Sequence, residues 1–229
     1  MSTFAILLAG GAGERFGRAL PKQFSDLSGR SLLAICLERF QRHPGIDGII
    51  LVCPAAQLAL AGEIAAAGLC TKLKTILAGG KTRQESSAIG VAAVPPGTRN
   101  VLIHDVARAL VGADVIDRVL AALADSAAVM AVLPETDTVV RVDEDAAVTA
   151  VLDRAKLRRV QTPQGFRLEV IGQAHASARA EGFGNAGDDC SLVLRYQLAP
   201  VATVAGDPGN IKITYSQDVA IAEALLRDA

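Results

Sequence analysis

Short segments made wholly of apolar residues alternate along the chain with longer segments in which apolar residues recur every three or four positions. The first kind predicts buried strands and the second predicts amphipathic helices. The predicted strands are residues 4–9, 48–53, 74–78, 101–104 and 127–133. The predicted helices are residues 31–43, 55–68, 84–94 and 113–125. Because apolar strands that alternate with helices are typical of parallel sheets covered on both faces, we expect a doubly wound α/β fold with a mostly parallel sheet.

The pattern changes after Pro134. Residues 138–142 alternate in polarity, residues 148–152 form a second β segment, and an acidic turn separates them, which predicts a projecting hairpin. A hairpin on its own is marginally stable in water, so this one needs a surface to pack on. No element is assigned to residues 159–164. The remaining predictions are a helix at 168–181, one helical turn at 191–195, strands at 200–204 and 211–213, and a last helix at 218–227 capped by Ser216.

Composition narrows the class of protein. The chain has 229 residues, of which 51% are apolar and 3% aromatic, so we expect one large domain with an aliphatic core. The net charge of −1 excludes the basic field of a nucleic-acid-binding protein. The four cysteines and three histidines lack metal-ligand spacing, which favours reduced thiols in a cytoplasmic protein. The N-terminal apolar run is too short for a signal peptide or a membrane span, so no membrane partner is expected.

A glycine-rich segment follows the first predicted strand. Gly10, Gly11 and Gly13 let the backbone bend and approach a ligand closely, because they carry no Cβ. Two cations, Arg15 and Lys22, come within the next few residues. Backbone amides and cations at the end of a strand are the groups that bind phosphate. The segment therefore predicts a phosphate site, with a tight surface turn carrying solvated cations as the alternative.

Two familiar phosphate motifs do not match. The dinucleotide fingerprint needs a third glycine where this chain has Phe16, and a carboxylate after the next strand, which here ends in Cys53-Pro54. The Walker pattern ends correctly at residues 80–82, but Thr75 stands in place of its first glycine. A nicotinamide-dependent dehydrogenase is therefore a weak alternative.

The motif at residues 8–17 (LAGGAGERFG), with Pro21-Lys22-Gln23, resembles the signature of sugar-phosphate nucleotidyltransferases. More narrowly, it resembles the 2-C-methyl-D-erythritol 4-phosphate cytidylyltransferase family. Further stretches match that family in order, with Val106 and Ala109 as departures from the usual HDAARP sequence. These stretches are residues 79–86 (GGKTRQES), 104–108 (HDVAR), 161–164 (QTPQ), 188–191 (DDCS) and 210–214 (NIKIT).

The resemblance implies a Rossmann-like nucleotidyltransferase fold with a projecting β-arm. It implies an enzyme that joins CTP and 2-C-methyl-D-erythritol 4-phosphate, releases pyrophosphate and uses Mg²⁺ or another divalent cation. We expect one nucleotidyltransferase domain over residues 1–229, with a dimerisation arm at about 135–157 that makes a homodimer. Because the chain ends soon after its last predicted helix, we expect no second enzyme fused to it.

The resemblance also assigns roles to residues. The catalytic cations are Arg15, Lys22 and Lys212. The nucleotide-binding residues are Ala9, Gly10, Gly11, Gly13, Gly79, Gly80 and Ser86. The substrate-binding residues are Asp105, Arg108, Thr138, Arg154 and Thr162, with Asp105 also the metal ligand and Thr138 and Arg154 on the arm.

Purely structural or solvent-exposed roles remain open for several of these residues. Asp105 can be read instead as a helix cap or as a partner of Arg108, and Arg154 as part of a solvated basic face. Asp188-Asp189 fits a helix cap as well as a substrate contact. Arg83 is expected to anchor its loop, and His104 to be structural.

Two rival functions stay in view. A sister enzyme that uses another polyol phosphate, such as ribitol 5-phosphate, would share nearly all of these motifs. A non-catalytic nucleotide-binding domain is the rival from a different class. The joint presence of Arg15, Lys22, Asp105 and Lys212 argues against that second rival.

Overall fold

The structure, a computed structural model, describes residues 2–10 and 22–227, with the backbone alone for Lys22. Its strands are β1 (Thr3–Leu8), β2 (Asp26–Leu27), β3 (Arg30–Ser31), β4 (Gly48–Cys53), β5 (Leu73–Ala78), β6 (Asn100–Asp105), β7 (Ala128–Pro134), β8 (Val140–Val142), β9 (Val148–Val151), β10 (Arg158–Arg167) and β11 (Val201–Ala205). Its α-helices are α1 (Leu32–Arg42), α2 (Leu58–Ala67), α3 (Arg83–Ala92), α4 (Ala113–Ala122), α5 (Leu168–Glu181), α6 (Asp189–Arg195) and α7 (Gln217–Arg227). No helix in these two ranges is long and apolar enough to cross a membrane.

Seven strands form one sheet, in the order β11-β7-β10-β6-β1-β4-β5. Neighbouring strands are parallel except at β10, which runs antiparallel to both β6 and β7. The prediction of a doubly wound, mostly parallel sheet is confirmed. In such sheets ligands bind at the carboxyl ends of the strands. The ends of β1, β5 and β6 lie on that edge and carry Gly10, Gly79 and Asp105.

Alternate residues of the central strands fill two separate cores, one on each face of the sheet. Leu7 and Leu51 pack on the face covered by α1, α2, α4 and α7. Ile6 and Ile50 pack on the other face, which α3, α5 and α6 cover. All six residues of β1 and of β4 are buried, as expected for strands covered on both sides. Helix α1 begins where predicted, because the Ser31 hydroxyl accepts a hydrogen bond from the Ala34 amide at 3.1 Å.

The hydrophobic pattern does not predict β10, nor the two short strands β2 and β3, which pair with each other. Strand β10 lies inside the sheet between β6 and β7, yet its sequence, RRVQTPQGFR, contains proline, glycine and three basic residues. Proline lacks an amide hydrogen and normally breaks an internal strand. Here the register shifts between Gln161 and Gln164, so that Pro163 lies in an irregularity where no regular ladder hydrogen bond is required of it.

The strand predicted at 211–213 is wrong. This segment has no regular secondary structure, although the Ile213 amide donates to the Ala107 carbonyl at 2.9 Å. Ile213 is buried in the core on the sheet face that α1, α2, α4 and α7 cover, and Asn210 before it is also fully buried. Two buried anchors therefore hold an extended loop here, which explains why alternating apolar residues imitate a strand.

The predicted hairpin is present as a separate two-stranded sheet of β8 and β9. Val140 pairs with Val151 and Val142 pairs with Val148, so these side chains share one face of the sheet. They are 42%, 69%, 51% and 62% exposed, respectively. The hairpin therefore carries an exposed apolar face.

Candidate active site

Two glycine-bearing segments meet at the carboxyl edge of the sheet. The Ser86 hydroxyl accepts from the Gly80 amide at 3.2 Å and donates to the Thr82 carbonyl at 3.0 Å, which fixes the loop after β5. A Cβ at Gly79 would lie 2.7 Å from the Ser86 Oγ, and one at Gly80 would lie 2.4 Å from the Glu85 Cβ. Glycine is therefore required at both positions. A Cβ at Gly10, after β1, would lie 3.9 Å from the same Ser86 oxygen, which places the two segments side by side.

Part of the predicted phosphate site lies outside the described residues. Gly11, Gly13 and Arg15 fall in the undescribed range, as does the side chain of Lys22. The residue that follows, Gln23, is buried, and its side-chain amide donates to the Gly10 carbonyl. The two ends of the undescribed range are therefore joined next to the carboxyl end of β1.

Asp105 is the centre of a charged network. Its Oδ1 accepts from Arg83 Nε and its Oδ2 from Lys212 Nζ, each at 2.9 Å. Its backbone amide donates to the Thr162 hydroxyl at 3.1 Å. Burial acts to raise the pKa of Asp105, but the charges of Arg83 and Lys212 outweigh it and hold the pKa well below its usual range. Asp105 is therefore an ionised carboxylate at neutral pH.

Arg83 joins Asp105 to a second buried carboxylate. Its NH1 donates to Asp189 Oδ2 at 2.7 Å, in addition to the contact of Nε with Asp105. Burial acts to lower the pKa of Arg83, whereas the two carboxylates raise it above its ordinary value. The expectation that Arg83 anchors its loop agrees with these contacts. The guanidinium also fixes the position of Asp105 from the side that faces the protein interior.

Asp189 belongs to a Ser-His-Asp cluster that is not a nucleophilic triad. The Ser87 hydroxyl donates to Asp189 Oδ1, and the His175 Nε2 lies 3.2 Å from the Ser87 Oγ and 3.5 Å from Asp189 Oδ1. In a triad the serine hydroxyl would face the histidine and be open to substrate. Here Ser87 is fully buried, and its hydroxyl donates its hydrogen bond to the Asp189 carboxylate instead of to the histidine. The cluster therefore holds Asp189 in place.

Thr162 and His104 form a wall beneath Asp105. The Thr162 hydroxyl, which accepts from the Asp105 amide, lies 3.0 Å from His104 Nδ1, and His104 Nε2 lies 3.1 Å from the Arg108 carbonyl. Burial lowers the pKa of His104 to about 4. The ring is therefore neutral at pH 7, with its proton on Nε2 because the Arg108 carbonyl can only accept. These contacts agree with a structural role for His104.

Arg108 holds the loop that carries Lys212. Its NH1 donates to the Asn210 carbonyl at 2.9 Å and its NH2 to the Val160 carbonyl at 3.0 Å. The Asn210 side-chain amide donates in turn to the Thr162 carbonyl at 2.8 Å. Burial lowers the pKa of Arg108. The substrate-binding role predicted for Arg108 stays a prediction, because the described contacts all go to the backbone.

The arm residues lie apart from this network. Arg154 NH1 donates to the Thr136 carbonyl at 2.9 Å, across the base of the hairpin. Within the described residues, neither Thr138 nor Arg154 has a hydrogen bond to the Asp105 network. Their predicted contact with the sugar phosphate stays a prediction.

The donor set at Asp105 fits a divalent cation that is shared with substrate. In the part of the chain that the structure describes, no group of three or more His, Cys, Asp or Glu residues could hold a metal ion. Mg²⁺ bound to nucleotides uses one or two carboxylates and completes its coordination with phosphate oxygens and water. A single ionised carboxylate at the strand edge meets that requirement. A cation there would share Asp105 with Arg83 and Lys212.

Several residues of this site were not found from the sequence. Ser87 and His175 gave no motif signal, Asn210 was noted only as a neighbour of Lys212, and Asp189 was left open as a capping residue. The structure separates the two acidic neighbours, because Asp188 caps α6 and accepts from the Ser191 amide at 2.8 Å, whereas Asp189 faces Arg83. The acidic pair after a polar loop was the available signal, but its partner Arg83 is 106 residues away along the chain.

Three comparisons with known proteins agree on the family. The family model described as "IspD: 2-C-methyl-D-erythritol 4-phosphate cytidylyltransferase" matches residues 3–228. The enzyme of that name from Thermobifida fusca (strain YX) is 45% identical, over 97% of this chain and 92% of the relative. The crystal structure of the Thermus thermophilus enzyme of that name has a TM-score of 0.79 and 34% identity, over 99% of this chain and 100% of that one. The structure of 4-diphosphocytidyl-2C-methyl-D-erythritol synthase from Anaerococcus prevotii DSM 20548 has a TM-score of 0.87 and 28% identity, over 99% and 96%. The chain therefore belongs to the IspD family of 2-C-methyl-D-erythritol 4-phosphate cytidylyltransferases.

Proposed function

We propose the following assignment of chemistry to residues in this enzyme. As a member of its family, the chain is a cytidylyltransferase of isoprenoid biosynthesis. It transfers CMP from CTP to 2-C-methyl-D-erythritol 4-phosphate and releases pyrophosphate, giving 4-diphosphocytidyl-2-C-methyl-D-erythritol. The observation that supports our placement of the site is the pairing of Asp105 with Lys212 and Arg83 at the carboxyl edge of the sheet.

The reaction needs charge stabilisation rather than a protein nucleophile. A phosphate oxygen of the methylerythritol phosphate attacks the α-phosphorus of CTP, and the bond to the β-phosphate breaks as pyrophosphate leaves. The two anionic substrates must be held in line while negative charge develops on the phosphates. We assign this task to Arg15, Lys22 and Lys212, because preorganised cations stabilise such charge most effectively in a water-poor site.

Lys212 is suited to change partners during the reaction. Its side chain is 45% exposed and contacts Asp105 at 2.9 Å. Because the side chain lies partly in solvent, it can turn from the carboxylate to a phosphate oxygen and create no buried cavity behind it. Asp105 would hold Mg²⁺ together with the triphosphate. When bound, the metal would neutralise phosphate charge and orient the nucleotide. Arg83 keeps Asp105 in position because its second contact, to Asp189, lies on the buried side.

The nucleotide lies against the two glycine segments in this proposal. Ala9, Gly10, Gly11 and Gly13 present backbone groups to the triphosphate, and Gly79 and Gly80 present theirs to the cytosine and ribose. Ser86 supports this contact because its hydroxyl fixes the Gly80 amide and the Thr82 carbonyl. Thr162 and Arg108 hold the wall and the Lys212 loop beside the bound substrates.

A homodimer completes the site. We propose one nucleotidyltransferase domain over residues 1–229, whose arm at about 135–157 packs on a second copy. The four exposed valines of the arm support this, because a lone hairpin with such a face would be marginal in water. Thr138 and Arg154 would then bind the sugar phosphate of the neighbouring subunit, since an arginine fork grips phosphate oxygens bidentately. We propose a cytoplasmic enzyme with no nucleic-acid or membrane partner.

The test is release of pyrophosphate from Mg-CTP with methylerythritol phosphate or ribitol 5-phosphate as acceptor. We expect turnover with the first, and its loss in Lys22→Ala and after chelation of the divalent cation. Preference for ribitol 5-phosphate would keep the fold and move the enzyme to another polyol phosphate. Saturable CTP binding without turnover on either acceptor would favour a nucleotide-binding domain.

A further inference from the structure

A groove lies on the outer surface of the helical layer, between α3 and α5. It is open to solvent and has a volume of about 450 Å³, which is within the range of small-molecule sites. Its walls are small and mostly apolar, formed by Ala88, Val91 and Ala92 of α3 and by Leu168, Gly172 and Ala176 of α5. Nothing lies within 4 Å of the position that a Cβ on Gly172 would occupy, so open space adjoins this wall of the groove.

Two polar residues on one face of α5 line the groove. His175 is 5% exposed, and its Nδ1 has no hydrogen-bond partner among the residues described. This nitrogen is itself closed to solvent, so His175 contributes ring surface to the groove and Arg179 contributes its polar group. Arg179 lies one helical turn further along, is exposed, and pairs with no carboxylate in the described ranges. The groove therefore combines an apolar floor with an unpaired cation at one end.

We propose that this groove is a second ligand site, which binds a small anionic amphiphile and is coupled to the active site. The apolar body of the ligand would lie along Gly172 and Ala176, and its anionic group would pair with Arg179. A volume of about 450 Å³ suits a small molecule, whereas a protein partner would bind a broader and flatter surface.

A continuous chain of contacts joins this groove to the active site. His175 lies 3.5 Å from Asp189, Asp189 accepts from Arg83 at 2.7 Å, and Arg83 donates to Asp105 at 2.9 Å. Asp105 then accepts from Lys212, also at 2.9 Å. A ligand that shifts His175 changes the position of Asp189, and Arg83 cannot follow Asp189 without moving Asp105. Coupling of this kind is reciprocal, so CTP and the groove ligand must alter each other's affinity by the same factor.

The coupling rests on the proposed role of Asp105, but binding in the groove does not. The two parts can therefore fail separately. The probes are octanoate and octyl phosphate, which share an apolar chain and differ in their anionic group, with octanol as the neutral comparison. Gly172→Leu fills the open space, Gly172→Ala is its matched control, and Arg179→Gln removes the cation while leaving the groove open.

Binding is measured first, without nucleotide, from the methyl NMR signals of Ala88, Val91 and Ala176. We expect saturable shifts with a Kd below about 1 mM for at least one anionic probe. Gly172→Leu should weaken this binding at least about tenfold, Gly172→Ala should change it little, and Arg179→Gln should lower the affinity of the anions to that of octanol. The absence of saturable shifts, or equal affinity in Gly172→Leu, would overturn the site.

The KM for CTP is then measured with and without saturating probe. We expect a change of about threefold to tenfold in the wild-type enzyme and none in Gly172→Leu. Binding that leaves the KM unchanged would overturn the coupled site. If the wild-type enzyme had no turnover at all, the proposed function would fail, and CTP affinity measured by calorimetry would decide the coupling instead.

Discussion

Two parts of the proposed active site differ in how they are built. The network around Asp105 is complete within one chain, since Arg83, Lys212 and Thr162 all contact Asp105 and are held by further buried groups. The arm is the opposite case, because its valines face outward and its predicted substrate residues have no described contact with that network. We infer that charge stabilisation is a property of the folded chain, whereas sugar-phosphate binding depends on assembly.

The sharpest test of the inner network is Asp105→Asn. The change keeps the size of the side chain but removes the negative charge that holds Lys212, Arg83 and the proposed Mg²⁺. We expect kcat/KM to fall by about 10³-fold, the order seen when one electrostatic group is removed from an active site. Pyrophosphate release at several Mg²⁺ concentrations measures the loss.

The control for this change is Asp114→Asn. Asp114 is also an Asp paired with an arginine, Arg118, but its side chain is 59% exposed. The Asp114→Asn substitution should leave turnover unchanged, because a surface ion pair contributes little. Near-normal activity in Asp105→Asn would remove Asp105 from the proposed mechanism.

The second test removes the cation between the two buried carboxylates. In Arg83→Met, Asp105 keeps Lys212, but Asp189 keeps only Ser87 and His175 in a fully buried site. An uncompensated buried charge costs about 3–5 kcal/mol, and since the Arg83 side chain is 27% exposed we expect the lower end, about 3 kcal/mol. Urea unfolding at pH 7 measures the free energy of unfolding.

The loss of unfolding free energy in Arg83→Met, called its deficit below, should depend on pH in a definite direction. Burial acts to raise the pKa of Asp189, but the charge of Arg83, together with the contacts of His175 and Ser87, outweighs it and keeps the pKa below its ordinary value. This stability is present above the unfolded pKa, near about 4, and is lost as the pH falls through the folded pKa. Without Arg83, burial raises the folded pKa, so protonation relieves the variant and its deficit should narrow from pH 8 to pH 5.

The control here is Arg195→Met, which breaks an exposed pair with Glu181. Both side chains are more than 40% exposed, so the change should leave the free energy of unfolding nearly unchanged. A deficit in Arg83→Met that is equally small, or equal at both pH values, would contradict the buried network.

The inner network also shows what the sequence can and cannot predict. The family resemblance assigned roles to Asp105 and Gly79, and each also directly follows a predicted apolar strand, whose carboxyl end lies at the ligand-binding edge of a parallel sheet. The partners of Asp105 could not be found in this way. Arg83 and Lys212 meet Asp105 across 22 and 107 residues, and only the packed structure brings them together.

The sequence-based predictions for strand β10 and for residues 211–213 fail for a related reason. Local pattern predicts a strand from alternating apolar residues, but pairing depends on neighbours that are distant in sequence. β10 is polar and contains Pro163, yet β6 and β7 on either side supply its partners. Ile211 and Ile213 alternate correctly, but no neighbouring strand pairs with them in the described ranges.

The arm is tested by Val142→Lys. Burying a valine contributes about 1.5–3 kcal/mol, and a two-fold symmetric dimer contains each substitution twice. We expect the dimer dissociation constant to rise about hundredfold, with activity that depends on enzyme concentration. Sedimentation equilibrium and assays over a range of dilutions measure the two effects.

Ala150→Lys is the matched control for the arm, because Ala150 pairs with Arg141 and so lies on the opposite face of the hairpin. Dissociation should be unaffected by it. A wild-type enzyme that is monomeric, or a Val142→Lys variant with unchanged mass and activity, would mean that the arm valines have another purpose.

The smallest expected effect concerns the wall beneath Asp105, where burial lowers the pKa of His104 to about 4. An unfolded histidine has a pKa of about 6.5, so between these values the unfolded chain binds more protons and stability rises with pH. The stability that the chain gains from a neutral His104 is complete above about pH 6.5 and is lost as the pH falls toward 4. Between pH 6.5 and 5.5 the change amounts to about 1 kcal/mol, because the unfolded histidine is only half protonated at pH 6.5.

His104→Gln should remove this part of the pH dependence while leaving turnover at pH 8 nearly normal, since Gln can still donate to the Arg108 carbonyl. Unfolding by urea at pH 6.5 and 5.5, in both proteins, isolates the difference. Parallel pH profiles would show that water reaches His104 and that the wall is open. A flatter profile in the variant would instead show that the inner network is closed to water and titrates only at low pH, in contrast to the exposed arm.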